Sequence, residues 1–151
     1  MLLRFIEGKD TSKIVAWRNA AAKYFPPQEP WTHRSHRTWY QSYMVDSNDF
    51  IYMICTSEGE PLGTIGITRQ GHGTYEIGRV MLGERELAPP GIMSRALQEI
   101  MRRHEGSYYW LSVLADNHHA IRFYEKNGFT GKHQHTGMLY MIRTVEDDSA
   151  F

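Results

Sequence analysis

Apolar and polar positions along this chain repeat with either the period of a helix or the period of a strand. The points at which one period gives way to the other predict the order of the secondary-structure elements. Apolar residues at helical spacing predict helices from about Asp10 to Ala22, from about His33 to Met44, from Gly91 to His104, and from Asn117 to a stop at Asn127-Gly128. Alternating or fully apolar runs predict strands at 2–7, 50–56, 62–69, 75–82, 108–115, 129–135 and 138–143. The predicted order is therefore β-α-α-β-β-β-α-β-α-β-β.

Turn residues between these runs indicate how the strands are connected. The segment 57–61 and the glycine-rich turn 70–73 each join two strands, as expected for an antiparallel meander. The helix at 91–104 lies between two strands, and such a crossover is expected to be parallel and right-handed. We therefore expect an α+β fold, with a central mixed, mostly antiparallel sheet of about seven strands and flanking helices.

Length and charge narrow the class of protein. A chain of 151 residues is long enough for one domain with a real core and too short for two. We expect a single domain at 1–145, followed by a frayed acidic tail at 146–151. The 17 basic and 17 acidic residues cancel, so nothing in the net charge indicates binding to nucleic acid or to a membrane surface.

Cysteine content and hydropathy limit the class further. Cys55 is the only cysteine, which excludes an internal disulfide and a cysteine-rich zinc site. It ends an apolar run typical of a buried strand, where a thiol is usually inert. No apolar run of about 18 residues and no signal peptide is present, so we expect a cytoplasmic protein.

The stretch 116–129 combines a helix with candidate chemistry. Asn117 is a good helix N-cap, and Asn127-Gly128 is a typical helix stop before a new strand. Asn117 and Tyr124 are seven positions apart, so at about 3.6 residues per turn they lie on one face of the helix. An amide and a phenol are thus predicted to point the same way.

The pattern Asn-x-x-Ala-Ile-x-Phe-Tyr-Glu-Lys-x-Gly-Phe at 117–129 closely resembles the last motif of the GNAT acetyltransferases. The resemblance implies that acetyl-CoA is the cofactor, that Asn117 bonds its pantetheine arm, and that Tyr124 reprotonates the departing thiolate. The element order is similar to that family's order. Short segments at 17–19, 76–78 and 91–94 look most like the branch with ribosomal-protein and amino-sugar acetyltransferases.

A cofactor crevice is also expected from the order of elements. Strands that end near Leu82 and Ala115 leave a crevice if they diverge, and amides at the helix start at Gly91 can bind phosphate. The family's Arg/Gln-x-x-Gly-x-Gly/Ala loop corresponds to 88–93, where only Gly91 matches well and two prolines remove backbone donors. We expect a weakened or reshaped site. The predicted cofactor-binding residues are Val80, Met81, Leu82, Arg85, Gly91, Ile92, Met93, Ser94, Arg95, Asn117 and Tyr124.

Acetyl transfer to an amine needs a base and an acid. Glu76 is the carboxylate best placed to act as the base, although the alternation at 75–78 does not decide which face of the sheet it occupies. Tyr124 is the predicted acid, because a phenol with a pKa of about 10 still carries its proton at pH 7 and can pass it to the departing thiolate. Amides near Val80 and Met81 can polarise the thioester carbonyl if the strand bulges there.

Histidines and the first two helices offer candidates for the acceptor site. The groups His33-x-x-His36, His118-His119 and His133-x-His135 lack the spacing of a known zinc site, so we predict no metal. A basic, aromatic rim favours a negatively charged acceptor. The predicted substrate-binding residues are Trp31, His33, Arg34, Arg37 and His135.

These features together predict an acetyl-CoA-dependent N-acetyltransferase that acts directly on a primary amine of a small molecule, such as an amino-sugar nucleotide. Two alternatives stay open: acetylation of protein N-terminal or lysine amines, and a non-catalytic acyl-CoA-binding or partner-binding module. We expect no nucleic-acid or membrane partner, and a monomer or homodimer.

Overall fold

A computed structural model describes residues 1–145, and the predicted tail at 146–151 lies outside the described residues. The chain forms a seven-stranded sheet in the order β1-β2-β3-β4-β5-β7-β6. Its strands are β1 (Leu2–Phe5), β2 (Asp49–Cys55), β3 (Pro61–Arg69), β4 (Thr74–Leu82), β5 (Tyr108–Leu114), β6 (Thr130–His135) and β7 (Met138–Thr144). Its helices are α1 (Thr11–Ala20), α2 (His33–Met44), α3 (Ile92–Arg103) and α4 (His118–Lys126).

Strand pairing follows the expected mixed pattern. Every neighbouring pair in the sheet is antiparallel except β4 and β5, which are parallel and are connected through α3. The predicted α+β class and the predicted element order are confirmed. The parallel pair matters most for function, because it lies at the centre of the sheet between two antiparallel blocks.

Two apolar cores cover the two faces of the sheet. One contains Leu97 and Ile100 of α3 against strand residues such as Ile65 and Leu111. The other contains Ile51, Met53 and Cys55 of β2, with Trp17 of α1 and residues of α2 packed over them. β2 is therefore buried on both faces, which explains its unbroken apolar run. Cys55 is 1% exposed, as expected.

Local capping explains where the first helices begin and end. α2 has the predicted bounds, and it begins after Thr32 because Thr32 caps it by accepting a hydrogen bond from Ser35 N. α1 is shorter than predicted and ends at Ala20. Tyr24 N donates to Ala21 O at 3.0 Å, an i→i−3 bond that tightens the chain into a 3-10 turn before the prolines. Among residues 1–145, no helix is both long and apolar enough to cross a bilayer.

A buried ion pair fixes the entry to α1. Asp10 is 3% exposed and accepts hydrogen bonds from Arg4 Nη1 at 2.8 Å, Arg4 Nη2 at 2.9 Å and Glu7 N at 2.8 Å. Burial alone would raise the pKa of Asp10, but these hydrogen bonds outweigh burial and hold its pKa below the ordinary value. The pair thus ties β1 to the start of α1.

Asp10→Asn is expected to lower the free energy of unfolding at pH 7 by about 2 kcal/mol, because the hydrogen bonds from Arg4 lose their charged acceptor. A depressed folded-state pKa gives stability that is present above the unfolded pKa and is lost as the pH falls through the folded value. The difference between wild type and variant, measured by urea unfolding, should therefore shrink below about pH 4. Lys9→Gln, which breaks only an exposed 3.4 Å pair with Glu7, is the control. A difference that is absent at pH 7, or constant with pH, would contradict this account.

Candidate active site

The central parallel strands separate after a short paired segment. β4 and β5 pair only where Thr74, Tyr75 and Glu76 lie beside residues 108–110. Beyond that point β4 remains paired with β3, and β5 with β7. A wedge-shaped gap therefore opens between the carboxyl-terminal halves of the two strands, as the sequence predicted. Backbone groups of β4 that point into the gap have no strand partner there.

A β-bulge lies in β4 at the edge of this gap. Thr64 of β3 pairs with Met81 and Gly66 pairs with Gly78, so β4 has one extra residue between those pairs. Arg79 has a φ of 51°, and the Thr64 hydroxyl donates to its carbonyl oxygen at 2.7 Å. The bulge that the sequence analysis considered near Val80 and Met81 is present, and its positive φ lies at Arg79.

The bulge changes which side chains of β4 face each side of the sheet. Tyr75 and Ile77 belong to the α3 core, and after the bulge Val80 and Leu82 pack against the same core. Met81 instead joins the core under α1 and α2. Without the extra residue, regular alternation would place residue 81 on the side of 75 and 77.

A groove of about 1070 Å³ extends from this gap. It is formed by the end of α1, the end of β4, the loop 83–91, and the starts of α3 and α4. Nearly all of the predicted cofactor-binding residues line it: Val80, Met81, Leu82, Arg85, Gly91, Ile92, Met93, Ser94, Asn117 and Tyr124. Arg95 does not line it, because it lies on an exposed face of α3. Its predicted role in cofactor binding is not supported.

Trp17 forms part of the groove wall through a close contact with the loop. A side chain at Gly83 would collide with the Trp17 indole, so only glycine permits this approach. Trp17 Nε1 also donates to Glu84 Oε1 at 3.2 Å. The loop after β4 is thereby held against α1.

The start of α3 offers an anion site with few donors. Gly91, at φ 77°, is the N-cap, and no side chain caps the helix. Ile92 N donates to Pro89 O and Arg95 N to Gly91 O, whereas Pro89 and Pro90 carry no amide hydrogen. Free amides at the first helical turn can donate hydrogen bonds to a pyrophosphate, and the Arg85 guanidinium adds a positive charge. The groove thus offers a pyrophosphate fewer backbone donors than a glycine-rich loop does.

Asn117 and Tyr124 both face the groove from α4. Asn117 Oδ1 accepts from Ala120 N at 3.2 Å and caps the helix, which leaves its NH2 group to donate. Tyr124 is 8% exposed and packs against Phe123 and Phe129. Burial raises the pKa of the Tyr124 phenol above its ordinary value. The phenol is therefore protonated at pH 7 and is able to donate a proton.

Asn127 has a structural role that the sequence did not indicate. It is 7% exposed and donates from Nδ2 to Ser94 Oγ at 3.2 Å and to Phe123 O at 2.9 Å. Gln98 Nε2 donates to its Oδ1 at 3.0 Å. These bonds join the end of α4 to α3, so the helix that carries Tyr124 is fixed against the helix whose start faces the groove. Helical spacing identified Asn127 only as part of a helix stop.

A second cavity, of about 270 Å³, lies beside the groove and shares Phe25 and Met81 with it. It is enclosed by α1, the loop before α2, α2 itself and the strands beneath them. Its remaining lining residues are Ile6, Ile14, Arg18, Gln28, Trp31, His36, Trp39, Ile51, Thr64 and Arg79. No aspartate or glutamate among residues 1–145 lines it.

Two arginines give this cavity its charge. Arg79 is paired with Asp49, with Nη2 3.2 Å from Oδ2. Arg18 lies 3.6 Å from the centre of the Phe25 ring, and within residues 1–145 it has no carboxylate within salt-bridge distance. When the Gln28 amide is oriented with its oxygen towards Arg18, that oxygen accepts from Arg18 Nη2 at 2.6 Å. No other side chain of the described residues 1–145 thus neutralises the Arg18 charge.

The predicted substrate-binding residues are only partly brought together. Trp31 lines the cavity, whereas His33, Arg34 and Arg37 are exposed on α2 and do not. α2 turns His36 and Trp39 inward, which places the positions beside them towards solvent. His135 lies at the end of β6, where every residue is exposed, and lines neither space. The sequence missed Arg18 and Arg79 because neither adjoins the rim that it singled out.

The inward histidine is neutral. His36 is 3% exposed, and its Nδ1 lies 3.1 Å from Thr11 Oγ1. Burial, with a smaller effect of His33, lowers the pKa of His36 below its ordinary value, so the ring carries no charge at pH 7. Within residues 1–145 there is no cluster of three or more side chains able to hold a metal ion.

Glu76 lies in β4 on the face opposite the α3 core, since its neighbours Tyr75 and Ile77 face that core. Its Oε1 accepts from Gln70 Nε2 at 3.3 Å, and it lines neither the groove nor the cavity. Burial raises the pKa of Glu76, although the Arg79 guanidinium partly offsets this. The carboxylate is therefore a stronger base than an exposed glutamate.

Comparisons with known proteins agree with this geometry. The solved structure of FdhC, described as a nucleotide-linked sugar GNAT, has a TM-score of 0.80 at 16% identity and covers 94% of this chain and 85% of its own. Ribosomal-protein-alanine N-acetyltransferase from Brucella melitensis gives 0.74 at 17%, covering 96% and 100%. Spermidine N-acetyltransferase from Vibrio cholerae, solved with CoA and spermine, gives 0.77 at 17%, covering 95% and 94%.

At such identities these structures show the same fold and nothing finer. No curated protein matches the sequence significantly. The profile described as "Acetyltransferase (GNAT) family" matches residues 14–129, which include the end of β4, the start of α3 and all of α4. N-acetyltransferases of this kind use acetyl-CoA as the acetyl donor, and the expected enzyme class and cofactor are confirmed. The chain belongs to the acetyltransferase (GNAT) family.

Proposed function

We propose that this enzyme transfers an acetyl group directly to the primary amine of a small molecule held in the 270 Å³ cavity. The observation that carries the proposal is that cavity and groove meet at Phe25 and Met81, beside the bulge. Acetyl-CoA supplies the acetyl group as an activated thioester. An amine in the cavity and a thioester in the groove can approach each other there.

Two different side chains, one on β4 and one in the groove, carry out the two proton transfers of the reaction. Glu76 accepts the proton of the amine. Because Glu76 does not line the cavity itself, the proton reaches it through intervening water. Tyr124 keeps a proton on Oη at pH 7, because burial raises its pKa, and donates this proton to the departing thiolate. Amides near Val80 and Met81 polarise the carbonyl that is attacked. Arg85, Asn117 and the start of α3 bind the coenzyme.

Direct transfer is favoured over an acyl-enzyme. Cys55 is the only cysteine of the chain and is 1% exposed. Burial raises the pKa of its thiol, so at pH 7 the reactive thiolate is scarce. Cys55 also lines neither the groove nor the cavity.

The size of the cavity supports a small acceptor. Pockets for drug-sized ligands occupy roughly 300–1,000 Å³, and this cavity has about 270 Å³. An amino-sugar nucleotide would have to leave its nucleotide outside, and Arg34 and Arg37, which were expected to bind its phosphates, do not line the cavity. The residues that line the cavity therefore do not support the expectation that the acceptor is an amino-sugar nucleotide. A protein acceptor could likewise place only one side chain in the cavity, and the rest of that protein would have to stay outside.

The proposal is tested by measuring thiol release from acetyl-CoA with a panel of small amines, and by identifying products by mass. We expect acetylated product from at least one compact amine and a rise in melting temperature with coenzyme A. Binding of coenzyme A without any acetylated product would favour a non-catalytic binding module. Faster acetylation of peptides than of any small amine would favour a protein acceptor.

A further inference from the structure

We propose that Arg18 is the binding site for an oxyanion of the acceptor, so that the enzyme acts on amines that also carry a carboxylate, as amino acids do. The inference rests on the proposed function, since it concerns the substrate of the same cavity. It is carried by a guanidinium that lines the cavity and has no carboxylate within salt-bridge distance among residues 1–145.

The charge balance of the cavity is positive. Arg79 is neutralised by Asp49, and the imidazole of His36 is neutral. Arg18 remains, and no aspartate or glutamate among the described residues lines the space around it. A partly buried cation without a partner is unfavourable unless a ligand supplies the negative charge. A polyamine or a lysine side chain would bring a second positive charge towards it and is disfavoured.

The orientation of Arg18 leaves its donors accessible. The flat face of the guanidinium lies over the Phe25 ring at 3.6 Å from the centre. Its N–H groups point outward in the plane of the group, where a carboxylate can bind through two parallel hydrogen bonds. With the Gln28 amide oriented so that its oxygen faces Arg18, that oxygen accepts from Nη2 and restricts rotation of the group.

The position of Arg18 also orients the substrate. Phe25, on which Arg18 stacks, is shared by the cavity and the groove. An anion held at Arg18 therefore fixes one end of a small molecule inside the cavity. Its amine is then free to reach towards Met81, where the cavity joins the groove. A molecule the size of an amino acid spans such a space, whereas a long polyamine does not.

The test compares kcat/KM for matched acceptors: an amino acid, its carboxamide and the amine that lacks the carboxylate. We expect wild type to prefer the amino acid by roughly 10- to 100-fold, the effect of one charge-assisted hydrogen-bonded pair. In Arg18→Gln this ratio should fall close to one, mainly through a higher KM. Arg18→Lys, which keeps the charge without the planar fork, should give an intermediate ratio.

Lys13→Gln is the matched control, because it removes a positive charge from the exposed side of the same helix and should leave the ratio unchanged. Aminophosphonates in the panel distinguish a carboxylate site from a general oxyanion site. The coenzyme A thermal shift of each variant shows whether the groove is intact.

Calorimetric binding of an N-acetylated amino acid provides a readout that does not need turnover. Tighter binding to wild type than to Arg18→Gln supports the anion site even if no amine is acetylated, in which case only the proposed function fails. The inference is overturned if wild type acetylates the plain amine as well as the amino acid. It is also overturned if Arg18→Gln binds the acetylated amino acid as tightly as wild type.

Discussion

Tyr124→Phe is expected to lower kcat by about 10²- to 10⁴-fold, the usual contribution of a general acid. The substitution removes only the hydroxyl, so the ring keeps its packing against Phe123 and Phe129. Affinity for coenzyme A should therefore stay nearly the same. Steady-state kinetics with acetyl-CoA, together with a coenzyme A thermal shift, measure the two effects separately.

The raised pKa of Tyr124 adds a pH signature to this result. A phenol that ionises above its ordinary pKa remains a proton donor throughout the alkaline range in which the protein is folded. Wild-type kcat should thus show no alkaline loss from this group near pH 10. Tyr108→Phe, which removes a hydroxyl from a residue outside the groove, is the control. If Tyr124→Phe turns over at the wild-type rate, Tyr124 is not the acid.

Glu76→Gln is expected to lower kcat/KM by about 10²-fold or more, because the amide cannot accept a proton from the amine. Burial places the pKa of Glu76 above its ordinary value, so wild-type activity should decline as the pH falls through this raised pKa. The variant should lack that low-pH limb. A pH–rate profile of kcat/KM from about pH 5 to pH 9 measures both effects.

Glu58→Gln is the matched control for this change, since Glu58 is exposed in the turn between β2 and β3. Gln70 donates to Glu76 and can still hydrogen bond to a glutamine there, so folding should be preserved. A Glu76→Gln profile that keeps the low-pH limb would assign the base to a histidine or to water alone.

Elements that depend on local pattern were predictable from the sequence. α2 begins where expected because Thr32 and Ser35 cap its start within one turn. Asn117 and Tyr124 face one groove because both positions follow from the period of a single helix. The parallel crossover followed from the strand–helix–strand order.

Features that depend on distant contacts were not predictable. Nothing in the alternation at 75–82 indicates that the extra residue lies at Arg79, because Thr64 on the neighbouring strand holds the bulge. The cavity combines Arg18 of α1, Gln28 of a loop and Arg79 of β4, which are brought together only by packing. Arg34 and Arg37 were assigned to the acceptor site from charge and nearness in sequence, yet the inward face of α2 is set by His36 and Trp39.

The bulge in β4 also places two adjacent residues beside two different spaces, so that a substitution at one of them need not affect the other space. Arg79 lines only the 270 Å³ cavity, whereas Val80, the next residue, lines only the groove. Under the proposed function, these two adjacent positions of one strand are therefore selected for different properties. Substitution at 79 can alter which amine is recognised while the inherited coenzyme contacts persist at 80. The insertion of a single residue thus lets new specificities arise on an unchanged catalytic frame.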